Sequence, residues 1–278
     1  MEENNMSKTD NNEIDILKTL SVINRDNGSE FTDTARLDVI ASLLGSTGYR
    51  KINDEGLFHL YSLKPAEELQ DQKVIIVSSH VDCEYHITKC FTKEVDENTL
   101  LGTFDNSATN AAILHLMLEG RLPSNVIVAF TGDEEETGRG AKDVIRFIRR
   151  YALDVVNVFV LDVTAEGWVP NADFTVENDL WDDVFGAKVI ELVKASGYKW
   201  NYVPADACDI PDYIPMENRI IIEAYEDESW EYDEADIPCF SFCLPTKGEM
   251  HSDEGILARI ISFKRYTEML GKMLKLLS

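Results

Sequence analysis

Four apolar runs in this chain each lead into a histidine or an acid, and that repetition constrains the fold more tightly than any other feature. Val74-Ile75-Ile76-Val77 runs into Ser78-Ser79-His80-Val81-Asp82. Val126-Ile127-Val128-Ala129-Phe130 runs into Thr131-Gly132-Asp133-Glu134-Glu135. Val156-Asn157-Val158-Phe159-Val160-Leu161 ends on Asp162, and Phe240-Ser241-Phe242-Cys243-Leu244 leads by a short loop to His251. Short β-branched and aromatic runs read as buried strands. Helical patterns stand between them, and that alternation makes an α/β fold with a largely parallel sheet. In open sheets of this kind, ligands gather beyond the carboxyl ends of the strands. Residues far apart in sequence therefore converge on one sheet edge. The expected architecture is a three-layer α/β/α single domain with a central mixed, mostly parallel sheet. It spans residues 13–278 behind a polar, disordered tail at 1–12.

Apolar residues recur at helical spacing from Ile14 to Ile23. A second helix, capped by Ser29 or Thr32, runs to about Leu44 and stops at Gly45 and Gly48. Leu57 to Leu63 alternates as a strand, and a further strand is expected from Glu84 to Thr88. Helices are expected over Asn106–Glu119 and Ala141–Tyr151. The stretch after Asp162 reads as irregular. A helix near Trp181–Ser196 follows, then strands near Trp200–Val203 and Ile220–Glu223. Ile256 to Leu277 reads as one long amphipathic helix.

Composition excludes several classes of function. With 278 residues and 44% hydrophobic content the chain can bury a large core. A formal net charge of −25 argues against nucleic acid and against an anionic membrane surface. No apolar stretch approaches the roughly 18 residues of a membrane span. The N-terminus lacks the apolar core of a secretory signal. The five cysteines, Cys83, Cys90, Cys208, Cys239 and Cys243, show no paired metal spacing, so reduced thiols in a cytoplasmic protein are expected. The acid-rich stretch from Glu223 to Asp236 reads as solvated surface.

A single acid in a sequence is usually a solvated one. An acid that ends a buried strand is partly buried, and burial without a partner is costly. Metal coordination is the simplest compensation. Zinc takes histidine nitrogen and carboxylate oxygen, and two ions about 3.5–4 Å apart share a bridging oxygen ligand.

Five segments then carry a family resemblance. Ser79-His80-Val81-Asp82, Gly102-Thr103-Phe104-Asp105-Asn106, Asp133-Glu134-Glu135, Leu161-Asp162-Val163-Thr164 and Met250-His251-Ser252 resemble, in this order, the signature of the co-catalytic zinc aminopeptidases of peptidase families M28, M42 and M20. Asn27-Gly28-Ser29-Glu30 and Asp54-Glu55-Gly56 look like the N-terminal part of these families. The resemblance implies that His80 and Asp162 hold one zinc ion, Glu135 and His251 hold the other, and Asp105 bridges them. It implies Glu134 as general base and Asp82 as the carboxylate that orients His80. It also implies a cis peptide bond between Asp105 and Asn106. Cobalt or manganese suits the same ligands. Because Glu136 follows directly, base and ligand could instead be Glu135 and Glu136.

The chain departs from the pattern in two places. Asp227-Glu228-Ser229 stands near a Ser-Asp-His triplet of the M28-type relatives, and Asp236-Ile237-Pro238 replaces their Gly-Ile-Pro strand entry. The chain also has no room for the separate domain of about 100 residues that M20 and M42 members usually insert, which points to a compact M28-like form.

The expected substrate is a peptide cleaved from its amino end. A deacylase or amidohydrolase acting on an acylated amino acid, or a carboxypeptidase, is the alternative, with Lys247 as the cation for a substrate carboxylate. A non-catalytic binding protein would have lost ligands or base, and none is missing. A dinucleotide-dependent oxidoreductase would need a Gly-x-Gly-x-x-Gly turn that is absent. His59, His86 and His115 read as packing or surface residues, and Tyr225, Trp230 and Tyr232 as surface or pocket lining.

Overall fold

Strand runs that are apolar on both faces need cover on both faces, and the chain provides it. A computed structural model of the protein describes residues 12–22, 34–53, 56–136, 138–180, 183–203 and 239–276. Eleven strands form one mixed sheet: β1 (Arg50–Lys51), β2 (Phe58–Ser62), β3 (Lys73–His80), β4 (Thr92–Asp96), β5 (Thr99–Gly102), β6 (Val126–Thr131), β7 (Asp154–Thr164), β8 (Phe174–Leu180), β9 (Trp200–Val203), β10 (Cys239–Lys247) and β11 (Ile256–Arg259). The α-helices among the described residues are α1 (Glu13–Leu20), α2 (Thr34–Leu44), α3 (Ser107–Leu118), α4 (Arg139–Tyr151), α5 (Asp183–Ser196) and α6 (Ile260–Leu276).

The strand order is β1-β2-β6-β3-β7-β10-β11-β5-β4, with β8 and β9 branching from β10. The central four, β6-β3-β7-β10, are parallel. The flanking pairs β1/β2, β2/β6, β10/β11, β11/β5 and β5/β4 are antiparallel. Side chains alternate across the sheet with period two. Ile75, Val77, Val128, Phe130, Phe159 and Leu161 face a core shared with α1, α2, α3, α5 and α6. Val74, Ile76, Ile127, Ala129, Val158 and Val160 face a second core, closed by Ala141, Val144, Ile145 and Ile148 of α4. The result is the expected three-layer α/β/α arrangement.

This placement of helices fixes where a ligand can bind. The chain passes from β3 through α3 to β6 on one face, then from β6 through α4 to β7 on the other. Strand β3 therefore lies between two neighbours reached across opposite faces, which opens a crevice at its carboxyl end. His80 is the last residue of β3.

Several elements differ from the expectation. Glu84 to Thr88 is turn and loop. The segment after Asp162 contains β8, which pairs with β10 and β9. The C-terminal helix starts at Ile260, because Ile256–Arg259 is a strand paired with β5 and β10. Ile256 and Ala258 are buried there while Leu257 and Arg259 are not, and that short alternation merges into the helical spacing that follows. The β4–β5 hairpin was hidden by its mostly polar outer strand. Asn12 is ordered as the N-cap of α1, its side chain accepting from the amides of Ile14 and Asp15 at 3.0 Å. Ile220–Glu223, the acidic stretch to Asp236, Cys208 and the Tyr225, Trp230 and Tyr232 group lie outside the described residues.

Candidate metal centre

Each of the seven singled-out residues is held where an element ends. His80 closes β3, and Asn110 of α3 donates to its carbonyl at 2.7 Å. Asp105 precedes α3, joined to Asn106 by a cis peptide bond. The fully buried Asn106 amide donates to Leu161 O at 2.6 Å and to Ser79 Oγ at 3.3 Å, which ties the start of α3 to β3 and β7. Asp162 lies near the end of β7, its Oδ1 accepting from the Val163 amide at 2.7 Å. Glu134 and Glu135 lie in the turn between β6 and α4.

That turn is closely packed. Asp133 adopts a left-handed conformation with φ 64°, and its carboxylate accepts from Arg139 Nε at 2.8 Å and from the Arg139 amide at 3.2 Å. At Gly140 a Cβ would stand 2.4 Å from the carbonyl oxygen of Gly132. Only glycine lets α4 begin against this turn.

The structure brings all seven residues together. His80 Nε2 lies 3.0 Å from Asp105 Oδ1, 3.8 Å from Glu134 Oε2 and 3.8 Å from Asp162 Oδ1. His251 Nε2 lies 3.4 Å from Asp105 Oδ2 and 3.3 Å from Glu135 Oε2. The two oxygens of Asp105 thus face the two histidines, one each. Asp82 turns one oxygen toward His80 Nδ1 at 3.4 Å, and the other accepts from the Glu135 amide at 3.1 Å. Glu136, next in sequence, is exposed.

The electrostatics are those of a crowded acidic pocket. Burial drives the His80 imidazole down, but the carboxylates of Glu134, Asp105, Asp162 and Asp82 outweigh it and hold it well above the ordinary value of 6.5. Hydrogen bonding to Asp105, with the charge of Glu135, raises His251 to about 9 against a smaller opposing effect of burial. Burial and the Asp105 charge push Glu135 up to about 8. Burial raises Asp162 as well, against its bond to His80. Asp105 goes the other way: its burial is outweighed by the two histidines, which keep it well below the usual carboxylate range.

Among the described residues, three groupings have donor atoms within 4.8 Å of one another: His80 with Asp105 and Asp162, His80 with Glu134 and Glu135, and His251 with Glu135 and Glu84. His80 Nδ1, Asp82 Oδ1 and Asp105 Oδ1 are buried and close to one another's residues but not aligned for hydrogen bonds. Buried polar atoms are normally satisfied. Converging carboxylates around imidazoles, with buried nitrogen and oxygen atoms not aligned for hydrogen bonds among them, fit divalent cations of the borderline kind that take nitrogen and oxygen together.

Sequence reading missed Glu84. Its only signal was an acid two residues beyond Asp82, in a segment expected to be a strand. Of the other histidines, His86 borders this cluster through Glu84 at 3.3 Å, while His115 and His59 lie apart from the donor groupings. His115 faces Glu119 at 3.3 Å and Glu13 at 3.9 Å, and His59 lies 3.4 Å from the Tyr61 hydroxyl. Lys247 ends β10 in an exposed position. Cys239 and Cys243 are buried in β10. The Cys83 and Cys90 sulfurs lie 3.8 Å apart, and Arg36 donates to Cys90 at 3.2 Å.

No protein-family model matches the chain, and no curated protein matches it in sequence. Solved structures do match in fold. A TET aminopeptidase from a marine sediment archaeon of the Thaumarchaeota aligns over 95% of this chain and 96% of its own, with TM-score 0.71 and 11% identity. The TET1 peptidase of Pyrococcus horikoshii aligns over 94% and 99%, with TM-score 0.63 and 11% identity. The aminopeptidase PepT of Bacillus cereus aligns over 95% and 96%, with TM-score 0.62 and 9% identity. At these identities the likeness is one of fold: the chain is built as these aminopeptidases are built.

Proposed function

We propose that this protein is a di-metal exopeptidase, an aminopeptidase that removes residues from the amino end of peptides with two zinc ions per chain. One observation carries the reading. The Asp105 carboxylate presents Oδ1 at 3.0 Å to His80 and Oδ2 at 3.4 Å to His251, the geometry of a group shared by two ions. His80 and Asp162 are assigned to one ion, Glu135 and His251 to the other, and Asp105 to both. Such ions, when bound, supply Lewis acidity and a water of lowered pKa. Asp82 fixes the tautomer and ring orientation of His80. Glu134 is buried beside His80 and serves as general base, accepting the proton of the attacking water and delivering it to the leaving amine. The exposed position of Glu136 favours Glu134 and Glu135 over the alternative pairing. A compact M28-like form is supported by the single sheet that accounts for all described strands. Among the described residues no helix is long and apolar enough to cross a membrane.

The test is metal content and aminoacyl-p-nitroanilide hydrolysis, on wild type and on Glu134→Gln. The expected outcome is two ions in both proteins, with kcat lowered about 10²–10⁴-fold in the variant. Two ions without hydrolysis of any aminoacyl substrate would move the function to a deacylase, a carboxypeptidase or a binding protein. No bound ion after zinc reconstitution would sink the reading.

A further inference from the structure

Two loops meet over the His251 side of the centre, and they are fastened to each other away from the donor atoms. The Asp253 carboxylate accepts from the Thr88 amide at 2.7 Å, from the Lys89 amide at 3.4 Å and from the Thr88 hydroxyl. His86 Nε2 lies 2.5 Å from the His251 carbonyl oxygen, and its Nδ1 lies 3.3 Å from Glu84 Oε1. The Asp253 contacts and the His86–His251 contact join the loop after β3 to the loop after β10, and the His86–Glu84 contact lies within the former. Together they set Glu84 into the cleft that Glu135, Asp105 and His251 line.

The position of Glu84 is unlike that of a solvated loop acid. Its side chain is 16% exposed, against 54% for Glu94 on the outer edge of the sheet. One of its oxygens lies within 4.8 Å of both a Glu135 oxygen and a His251 nitrogen. The Glu135 side chain is only 6% exposed and points into the same space. Glu84, Glu135 and Asp105 thus converge on His251, and Asp105 is shared with His80. Converging carboxylates repel unless a cation lies between them or one takes up a proton, and an imidazole nitrogen placed with them makes the set one that a divalent cation accepts. His86 orients Glu84 through one oxygen, as outer partners orient metal-binding groups.

We infer that Glu84 is a further ligand of the ion held by Glu135 and His251, an inference that rests on the di-metal reading above. That site then has four protein donors, Glu84, Asp105, Glu135 and His251, while the other has three, His80, Asp105 and Asp162. Three oxygens and one nitrogen suit ions that accept oxygen-rich shells, such as Mn²⁺ and Co²⁺, as well as zinc. The two sites then differ in how many side chains of this chain hold them.

The experiment is a Co²⁺ titration of the metal-free protein, followed by calorimetry and by visible absorption, on wild type, Glu84→Gln and Glu84→Asp. Wild type is expected to bind two ions. Glu84→Gln is expected to weaken one site at least about tenfold and change its absorption bands, leaving the other site unaltered. Glu84→Asp keeps the carboxylate and is expected to bind that ion more tightly than Glu84→Gln. Two unaltered sites in Glu84→Gln would overturn the inference and leave Glu84 as a partner of His86 only. Equal weakening in both variants would also overturn it, assigning the effect to loop structure. A wild type that binds no cobalt would overturn the di-metal reading itself, an outcome distinct from the other two.

Discussion

The two histidines of the centre face the same aspartate from opposite environments. His80 is 1% exposed at the end of a central strand, with Asn110 fixing its carbonyl. The His251 side chain is 49% exposed, on a loop fastened to its neighbour by His86 and Asp253. The contrast teaches where each half gets its order. The His80 half is set by the sheet and forms when the core forms. The His251 half is set by loop-to-loop contacts, and loops are where mobility and specificity concentrate.

Removing each histidine in turn is the strongest way to break this comparison. In metal-free protein, His80 is the buried counter-charge to Asp105, Asp162 and Glu134. His80→Ala leaves those acids without it and is expected to cost about 3–5 kcal/mol of stability. His251→Ala, at a half-exposed position, is expected to cost about 1 kcal/mol or less. Urea denaturation of the metal-free proteins measures both. Similar losses would mean that the two halves are equally part of the core, and the contrast would fail.

A smaller effect locates the boundary between the halves. The turn carrying Glu134 and Glu135 serves both, and it abuts α4 at Gly140. Gly140→Ala drives a methyl group to within 2.4 Å of the Gly132 oxygen and 2.7 Å of its nitrogen. Both contacts are backbone, so neither can rotate away. The expected loss is about 1–3 kcal/mol, with weaker metal binding on the Glu135 side. Unchanged stability would show that this turn belongs with the adjustable loops.

The same contrast explains what could be read from sequence. Residues of the His80 half follow buried strands, and apolar runs are the clearest signal a sequence carries. His80, Glu134, Glu135 and Asp162 could be placed on one edge because β3, β6 and β7 are parallel. Glu84 could not, since its position depends on Asp253 and His86 reaching across from a segment far away in sequence. The β8 strand was obscured for a related reason. Phe174 and Val176 alternate with Thr175 and Glu177, but the alternation lasts only four residues before the polar Asn178-Asp179, and its polar face is buried as well. At Ile256–Arg259 the strand was too short for its period to stand apart from the helix after it.

Glu177 supplies the finest test of how far the buried half extends. It lies on β8 opposite Ser241 of β10, which in turn lies opposite Val160 of β7. Asp162 is two residues on from Val160 and so shares that sheet face. Burial raises Glu177 to about 8, and the nearby charges of Asp162 and Glu166 add to it against a bond from Thr164. Its folded value therefore stands above the ordinary 4.5 of the unfolded chain. Between those values the folded protein binds the extra proton, so stability falls as pH rises. The contribution of the neutral acid is complete below pH 4.5 and is lost as pH passes through about 8. Glu177→Gln removes this titration while keeping a polar group of the same shape. Relative to wild type, metal-free Glu177→Gln is expected to gain stability steadily from pH 5 to pH 8 and to level off above it. Paired urea midpoints across that range measure the gain. A difference independent of pH would place Glu177 in contact with solvent and end the buried half at Asp162.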